Sequence, residues 1–456
     1  MISAALSIAK IYHGVLTSST LYQTLHSVIV PLRKRLPTGR AIHPRGKAMK
    51  LLHTSDWHLG RTTGRESRAS DHDAVLAEIV DAARELRPDV ICNSGDLFDR
   101  SRPGTDDLER AIDVLSELAA IAPTVVVCGN HDKAALFRVF NKLSRVHGLH
   151  FIADPTTEPE AVIELPVAAG GTVRVGAVCY QHPHHLVDGR GNPDTWGSEY
   201  SAAVRGLDST VAAAIQAGLN PQTDFAVFAA HAYVGGAGWS GTERRGRHDD
   251  IFATDPTGIP GVAYAAYGHI HRPQPLPGAA GTYGHYAGSP LQLDFGEAGQ
   301  AKSMVYVEAA PGRPPRIETI PLHRGRQLRC FRGTLDDLAA TADTFGTDLC
   351  QIVVDSDTHI PHVADRVQEI LPDAHLVEVA NNAADRRAQI VIADPSKGGQ
   401  EREPSIDEMF ATYLATAGST KAPAASVLDV FHQLADPAVV DEPMPFPQEQ
   451  YLPEVA

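Results

Sequence analysis

From Met49 onward the chain repeats one phrase, a short apolar run that stops abruptly at Asp, Asn or His. Leu51-Leu52-His53-Thr54-Ser55 runs into Asp56, Asp89-Val90-Ile91-Cys92-Asn93 into Gly95-Asp96, and Thr124-Val125-Val126-Val127-Cys128 into Gly129-Asn130-His131-Asp132. Two later runs behave alike, 225–229 leading to His231 and 262–267 leading to Gly268-His269-Ile270-His271. Runs of this kind predict buried strands, and polar residues gathered at strand C-termini are where α/β folds place their ligands. Between the first strands, Val75, Ile79, Ala82 and Leu86, then Leu108, Ile112 and Leu115, recur at helical spacing. Strand alternating with helix implies a layered α/β core.

After residue 280 the pattern changes to strands and turns punctuated by Pro311-Gly312 and Pro314-Pro315. A small α/β unit is predicted from 328 to about 394, with a strand at 351–355 and a helix at 362–371. Lys397-Gly398-Gly399-Gln400 reads as a linker. Beyond it Ile406, Met409, Phe410, Tyr413 and Leu414 mark one amphipathic helix, and Val427, Val430, Phe431 and Leu434 a second. The expected layout is therefore a catalytic domain at 49–327, a capping domain at 328–395, a helical segment at 404–436 and an acidic, proline-containing tail at 437–456. Residues 1–48 differ in kind, with no Asp or Glu but Lys10, Arg33, Lys34, Arg35, Arg40, Arg45 and Lys47. The uncharged stretch 11–32 is too often interrupted by Ser, Thr, Gln and His for a membrane span, and its basic cluster follows it, the reverse of a secretory signal. The expectation is that Met49 is the functional start.

A formal charge of −15 excludes a protein that coats nucleic acid through bulk positive charge, since phosphate binding depends on Lys and Arg displacing counterions. Contact with DNA must then be local: Arg61, Arg65 and Arg68 follow the first polar loop, Arg100 and Arg102 the second, and Arg244, Arg245 and Arg247 follow His231. Five scattered cysteines without a CxxC pair suggest buried thiols in a reducing cytoplasm.

The strand-end residues carry the chemistry. Asp56 and His58, two apart in an extended loop, can face one cation. Asp96 follows a glycine that lets the backbone approach closely, and its two oxygens can bridge two ions. Asn130 adds a neutral oxygen donor, and His231, His269 and His271 complete a nitrogen-rich set suited to Mn, Fe or Zn more than to Mg or Ca. A single histidine is more often a core or surface residue, but five such elements in order at strand ends point to a binuclear centre. His182, His184 and His185 lack that support and are read as surface residues.

In this order, Asp56-Trp57-His58, Gly95-Asp96-Leu97-Phe98-Asp99, Gly129-Asn130-His131-Asp132, His231 and Gly268-His269-Ile270-His271 resemble the calcineurin-like metallophosphoesterases. Lys50 to Gly60, Gly268-His269-Ile270-His271-Arg272 and Gly288-Ser289-Pro290-Leu291-Gln292-Leu293-Asp294-Phe295 narrow the resemblance to the SbcD family, nuclease subunits of bacterial SbcCD. The resemblance implies a four-layer β-sandwich flanked by helices, with a capping domain and C-terminal helices. It implies that Asp56, His58, Asp96 and His271 hold one divalent ion and Asp96, Asn130, His231 and His269 a second, with Mn2+ the expected metal. His131 would be the general acid, with Asp132 either orienting its ring or serving as a turn carboxylate that caps the next helix. Asp99 stands where other branches of the wider family carry a second histidine, so its role stays open.

The implied activity is 3'-5' exonuclease and hairpin-opening endonuclease in DNA repair, recombination and replication. The chain has no GxxxxGK[ST] loop, so an ATPase would be another subunit. The resemblance implies an SbcC-like SMC-family coiled-coil protein docked on 404–436, an SbcD-like homodimer, two copies of each subunit, double-stranded ends and hairpins as substrates, and a cytoplasmic, nucleoid-associated, membrane-free location. The alternatives are a stand-alone hydrolase of nucleotides or small phosphodiesters and a non-catalytic scaffold, the latter disfavoured because every expected ligand is present.

Overall fold

The computed structural model describes residues 48–384 except 145–146, 169, 189, 241–251, 255–260 and 279–280. The N-terminal extension, the 404–436 helices, the tail and Arg244, Arg245 and Arg247 lie outside the described residues.

The valine-rich runs form strands covered on both faces. β1 (Met49–Thr54), β2 (Val90–Asn93) and β3 (Thr124–Val127) are buried throughout apart from the half-buried Lys50. They pair in parallel, with β4 (Leu149–Ile152) beyond β3. β5 (Ile163–Pro166), β6 (Thr172–Val178), β7 (Phe225–His231), β8 (Tyr264–Gly268), β9 (Gln274–Pro275) and β10 (Gly284–Tyr286) make a second sheet, in the order β9-β10-β8-β7-β6-β5. β11 (Lys302–Ala309) and β12 (Arg316–Leu322) return to the first, whose order is β12-β11-β1-β2-β3-β4. One core joins the inner faces, Leu51, Cys92 and Val125 from the first sheet packing with Val175, Val227 and Ala266 from the second.

Helices cover the outer faces. In α1 (Ala69–Leu86) Val75, Leu76, Ile79, Val80 and Ala83 are buried, a single stripe at helical period. The helix stops at Arg87, which turns left-handed at φ 50° directly before Pro88, a residue that cannot continue it. α2 (Thr105–Ile121) buries Ala111, Leu115 and Leu118. Ile112, expected on that stripe, is instead 49 % exposed, because it lies one residue, or about 100° of helix rotation, away from it. α3 (Ala134–Ser144) follows β3, and α4 (Trp196–Gln216) covers the second sheet through Val211, Ala214 and Ile215. The result is the helix, sheet, sheet, helix sandwich.

A separate three-stranded parallel sheet begins at Leu328: β13 (Leu328–Gly333), α5 (Leu335–Ala340), β14 (Leu349–Ser356), α6 (Val363–Ile370) and β15 (His375–Ala383). Its core of Leu338, Ile352, Val354 and Val367 is its own, and α5 opens on a capping box between Thr334 and Asp337. The joint to the sandwich is polar and buried. Arg68, with no solvent exposure, bonds Asp71 at 2.6 Å, the carbonyl of Gln292 at 2.8 Å and that of Arg326 at 3.0 Å. Arg326 pairs with the same Asp71, and Gln292 Oε1 accepts the Leu328 amide at 2.7 Å. Arg68 is therefore a structural residue, and its sequence assignment to a DNA-facing cluster is corrected. Four cysteines are buried as expected, whereas Cys330 is exposed.

Candidate metal centre

The five polar loops meet at one end of the sandwich. β1, β2 and β3 deliver Asp56 and His58, Asp96, and Asn130 and His131; β7 and β8, neighbours in the second sheet, deliver His231, His269 and His271. The loops lock pairwise: the Asp56 amide donates to the Gly95 carbonyl at 2.9 Å, His58 to Asp96 at 3.1 Å and Leu59 to Leu97 at 3.0 Å. The Asp56 carboxylate accepts the His269 amide at 3.0 Å. Of the six described non-glycine residues with positive φ, four are Asp56, His58, Asp96 and His269. Strained backbone concentrated in this way marks a site over-determined by its surroundings. Two glycines make the approach possible. A Cβ on Gly95 would fall 2.2 Å from His231 Nδ1, and one on Gly129 2.2 Å from Asp96 Oδ1.

The imidazoles are oriented from behind. His231 Nδ1 donates to the Ser94 carbonyl at 2.9 Å, His271 Nδ1 to Glu297 Oε1 at 3.1 Å and His131 Nδ1 to the Asp99 carbonyl at 2.7 Å. An acceptor on Nδ1 fixes the tautomer whose Nε2 carries a bare lone pair. Those lone pairs converge. Asp96 Oδ2 lies 3.5 Å from His58 Nε2, 3.4 Å from His231 Nε2 and 4.0 Å from His131 Nε2, and His58 and His271 face each other Nε2 to Nε2 at 3.2 Å. Asn130 Oδ1 sits 2.8 Å from His231 Nε2 and 3.0 Å from His269 Nδ1. Lone pairs aimed at one another in a buried space are stable only around a proton or a cation, so the donor set fits divalent ions.

Among the described residues, three buried groups have ligand atoms close enough to share an ion: Asp56, His58 and His271; Asp56, Asp96 and His231; and His58, Asp99 and His131. Asp56 thus lies with both sets. The electrostatics agree with the geometry. Burial alone would lower the basicity of His231, but the Asp96 carboxylate raises its pKa to about 9. Burial and the adjacent His231 lower His269 to about 3. Asp96 is held well below the carboxylate range despite its burial, chiefly by His231. A site that tolerates carboxylates only beside cations is built for positive charge.

Asp132 does neither thing expected of it. Its carboxylate accepts the backbone amides of Gly129 at 2.9 Å, Phe98 at 3.1 Å and Leu97 at 3.2 Å, tying the Asp96 loop to the Asn130 loop. It caps no helix, and the partner that orients His131 is the Asp99 carbonyl. Asp99 also aims its carboxylate at His58 Nδ1, 3.5 Å away and long for a hydrogen bond, and at Arg61, 3.3 Å away. Arg61 is thereby engaged, whereas Arg65, Arg100 and Arg102 are exposed beside the loops. His182, His184 and His185 sit exposed on one helical turn, as read from sequence. Together with Tyr180, Tyr233 and Trp239, His182 and His185 line a cavity of about 720 Å³ that opens from Asn130 and His269.

Sequence reasoning missed Glu297 and Lys302. Glu297 has no solvent exposure, and besides His271 it meets Lys302 Nζ at 2.6 Å and the Leu293 amide at 3.1 Å. Burial would raise its pKa, but the Lys302 ammonium and the His271 ring hold it far below the usual range. The available signal was an acid and a base flanking the turn after Phe295, which surface charges imitate.

Residues 49–273 match the calcineurin-like phosphoesterase family. The SbcD component of the SbcCD nuclease of Bacillus subtilis (strain 168) is 34 % identical over 289 residues, 61 % of this chain and 71 % of the relative. The chain belongs to the SbcD family. A second SbcD, from Rhodobacter capsulatus, is 29 % identical over 60 % of this chain and 69 % of its own. A solved dimetal phosphatase from Danio rerio aligns with 60 % of this chain and 99 % of its own at 12 % identity and a TM-score of 0.35. As an SbcD-family member the chain is a metal-dependent phosphodiesterase. Among the described residues no helix is long and apolar enough to cross a membrane.

Proposed function

We propose that this chain is the nuclease subunit of an SbcCD-type complex that processes DNA ends, acting as a 3'-5' exonuclease and hairpin-opening endonuclease with an SMC-like ATPase. The observation that carries the reading is the convergence of imidazole Nε2 atoms and Asp96 Oδ2 on one buried space, with three rings fixed from behind. Asp56, His58, Asp96 and His271 would hold one ion, and Asp96, Asn130, His231 and His269 the other. The nitrogen-rich set favours Mn2+. When bound, the two ions supply positive charge that makes a water acidic and neutralises phosphoryl oxygens. His131, its Nδ1 proton committed to the Asp99 carbonyl, would act as general acid in its imidazolium form, giving the Nε2 proton to the leaving oxygen and reverting to the neutral ring. Aromatic faces of Tyr180 and Trp239 in the adjoining cavity suit nucleobases, which stack without sequence preference.

Segment 404–436 is assigned to docking the ATPase coiled coil. A homodimer would cover Ile112, Val139 and Leu143, which are 49 %, 51 % and 70 % exposed on α2 and α3. The test is a purified-protein assay with Mn2+, with and without the coiled-coil ATPase, on blunt duplexes, hairpins and bis-p-nitrophenyl phosphate. Cleavage of DNA ends and hairpins supports the proposal; turnover of the small ester with DNA left intact under every condition replaces it with a stand-alone phosphodiesterase.

A further inference from the structure

Where the loop after β10 enters β11 there is a buried ion pair that the hydrolytic chemistry above does not use. Glu297 is completely buried and Lys302 is 5 % exposed. Burying two charges costs more than their attraction returns unless each is also hydrogen-bonded, and both are. Glu297 spends Oε2 on Lys302 Nζ and the Leu293 amide, and Oε1 on His271 Nδ1. Lys302 Nζ adds the His271 carbonyl at 3.0 Å and Ser289 Oγ at 3.0 Å. Both ends of His271, ring and backbone, are therefore gripped by one acid-base pair. The Ser289 amide closes the frame on the same His271 carbonyl at 3.1 Å.

We propose that Glu297 and Lys302 are positioning residues of the metal centre, holding His271 so that its Nε2 faces the ion site before an ion arrives. The inference rests on the metal-centre reading above. A carboxylate behind a histidine also makes the ring a stronger donor, and loss of such a partner typically lowers metal affinity by about 10- to 100-fold. The pair therefore acts on one ion site, the one that includes His271, and leaves the donors Asn130, His231 and His269 in place.

The test is a Mn2+ titration of the metal-free full chain by calorimetry, with wild type, E297Q and the double variant E297Q/K302M side by side, each first checked by thermal melting. Wild type should take up two ions; failure to do so sinks the metal-centre reading itself. E297Q should keep one ion at wild-type affinity and bind the other at least about 10-fold more weakly. E297Q/K302M removes the stranded ammonium, so it should fold at least as well as E297Q and show the same selective loss. Two ions bound at wild-type affinity by a folded variant of either kind overturn the proposal, as does equal weakening of both ions. Independently of any variant, side-chain NMR of the wild-type chain should find His271 protonated on Nδ1 and slow to exchange with solvent. A ring protonated on Nε2 overturns the proposal as well.

Discussion

Replacing Asp132 by alanine separates two roles for this carboxylate. If it oriented His131, the substitution would leave the fold alone and change the acid step. The structure gives it a different task, accepting three backbone amides from two loops, those of Leu97, Phe98 and Gly129. An amide left without its acceptor costs about 1–3 kcal/mol. These amides are partly buried, so water can reach the space left behind and the low end applies, giving about 3 kcal/mol for three. For a domain of more than 150 residues that is a fall in Tm of about 6–12 °C. The assay is urea and thermal unfolding of the metal-free chain near pH 7, with Mn2+ titration beside it. Metal affinity should fall too, because the untied loops carry Asp96 and Asn130. A D132A chain within about 0.5 kcal/mol of wild-type stability, but with kcat reduced and the acidic or basic limb of its pH profile moved, would refute the reasoning and restore the His131-orienting role.

Other outcomes rest on the same geometry. His131→Ala should abolish turnover while the metal-free and metal-loaded chains melt as wild type and two ions still bind; loss of an ion would make His131 a ligand. Arg68→Met strands the carbonyls of Gln292 and Arg326 and leaves the Asp71 carboxylate to Arg326 alone, and because that partner remains the loss should fall at the low end of the about 3–5 kcal/mol for breaking a buried pair, readable as a lower urea midpoint. Asp208, buried on α4, has its pKa raised to about 7 by that burial. A folded-state value above the unfolded one favours the protonated carboxyl, so its contribution is full below about 4 and is lost as the pH rises through 7. Asp208→Asn should therefore raise the Tm relative to wild type at pH 8 and not at pH 4; the same shift at both would remove ionisation as the cause.

The strand ends were legible because burial and function wrote them in the same place. A run such as 124–128 can only be a covered strand, and the residues after it, Gly129-Asn130-His131, have no packing reason to be polar. The other six expected ligands come together around Asp96 for that reason. The features that lay out of sight depend on contacts remote in sequence. Nothing near residue 297 announces that its carboxylate meets a histidine 26 positions earlier, and Arg68 looks like a surface arginine until residues 292 and 326 arrive to bury it. Asp132 misled for a related reason, since its neighbour in sequence, His131, is bonded by a carbonyl from another loop. Ile112 failed at the level of periodicity. The helix is right, but the stripe of Ala111, Leu115 and Leu118 includes a small residue that hydrophobic counting passes over.

The joint at Arg68 also sets where this protein can be cut. The match to the calcineurin-like phosphoesterase family ends at residue 273, yet a fragment stopping there would lack β11, the antiparallel neighbour of β1 along the middle of the first sheet. It would also deprive Arg68 of the carbonyls of Gln292 and Arg326 and leave its guanidinium with only Asp71 and Thr63 as partners. During synthesis, likewise, Arg68 at the head of the first helix must wait for more than 250 further residues before all its partners are present. The smallest autonomous piece therefore reaches at least Arg326, and the three-stranded unit beyond it starts from a point already clamped to the sandwich.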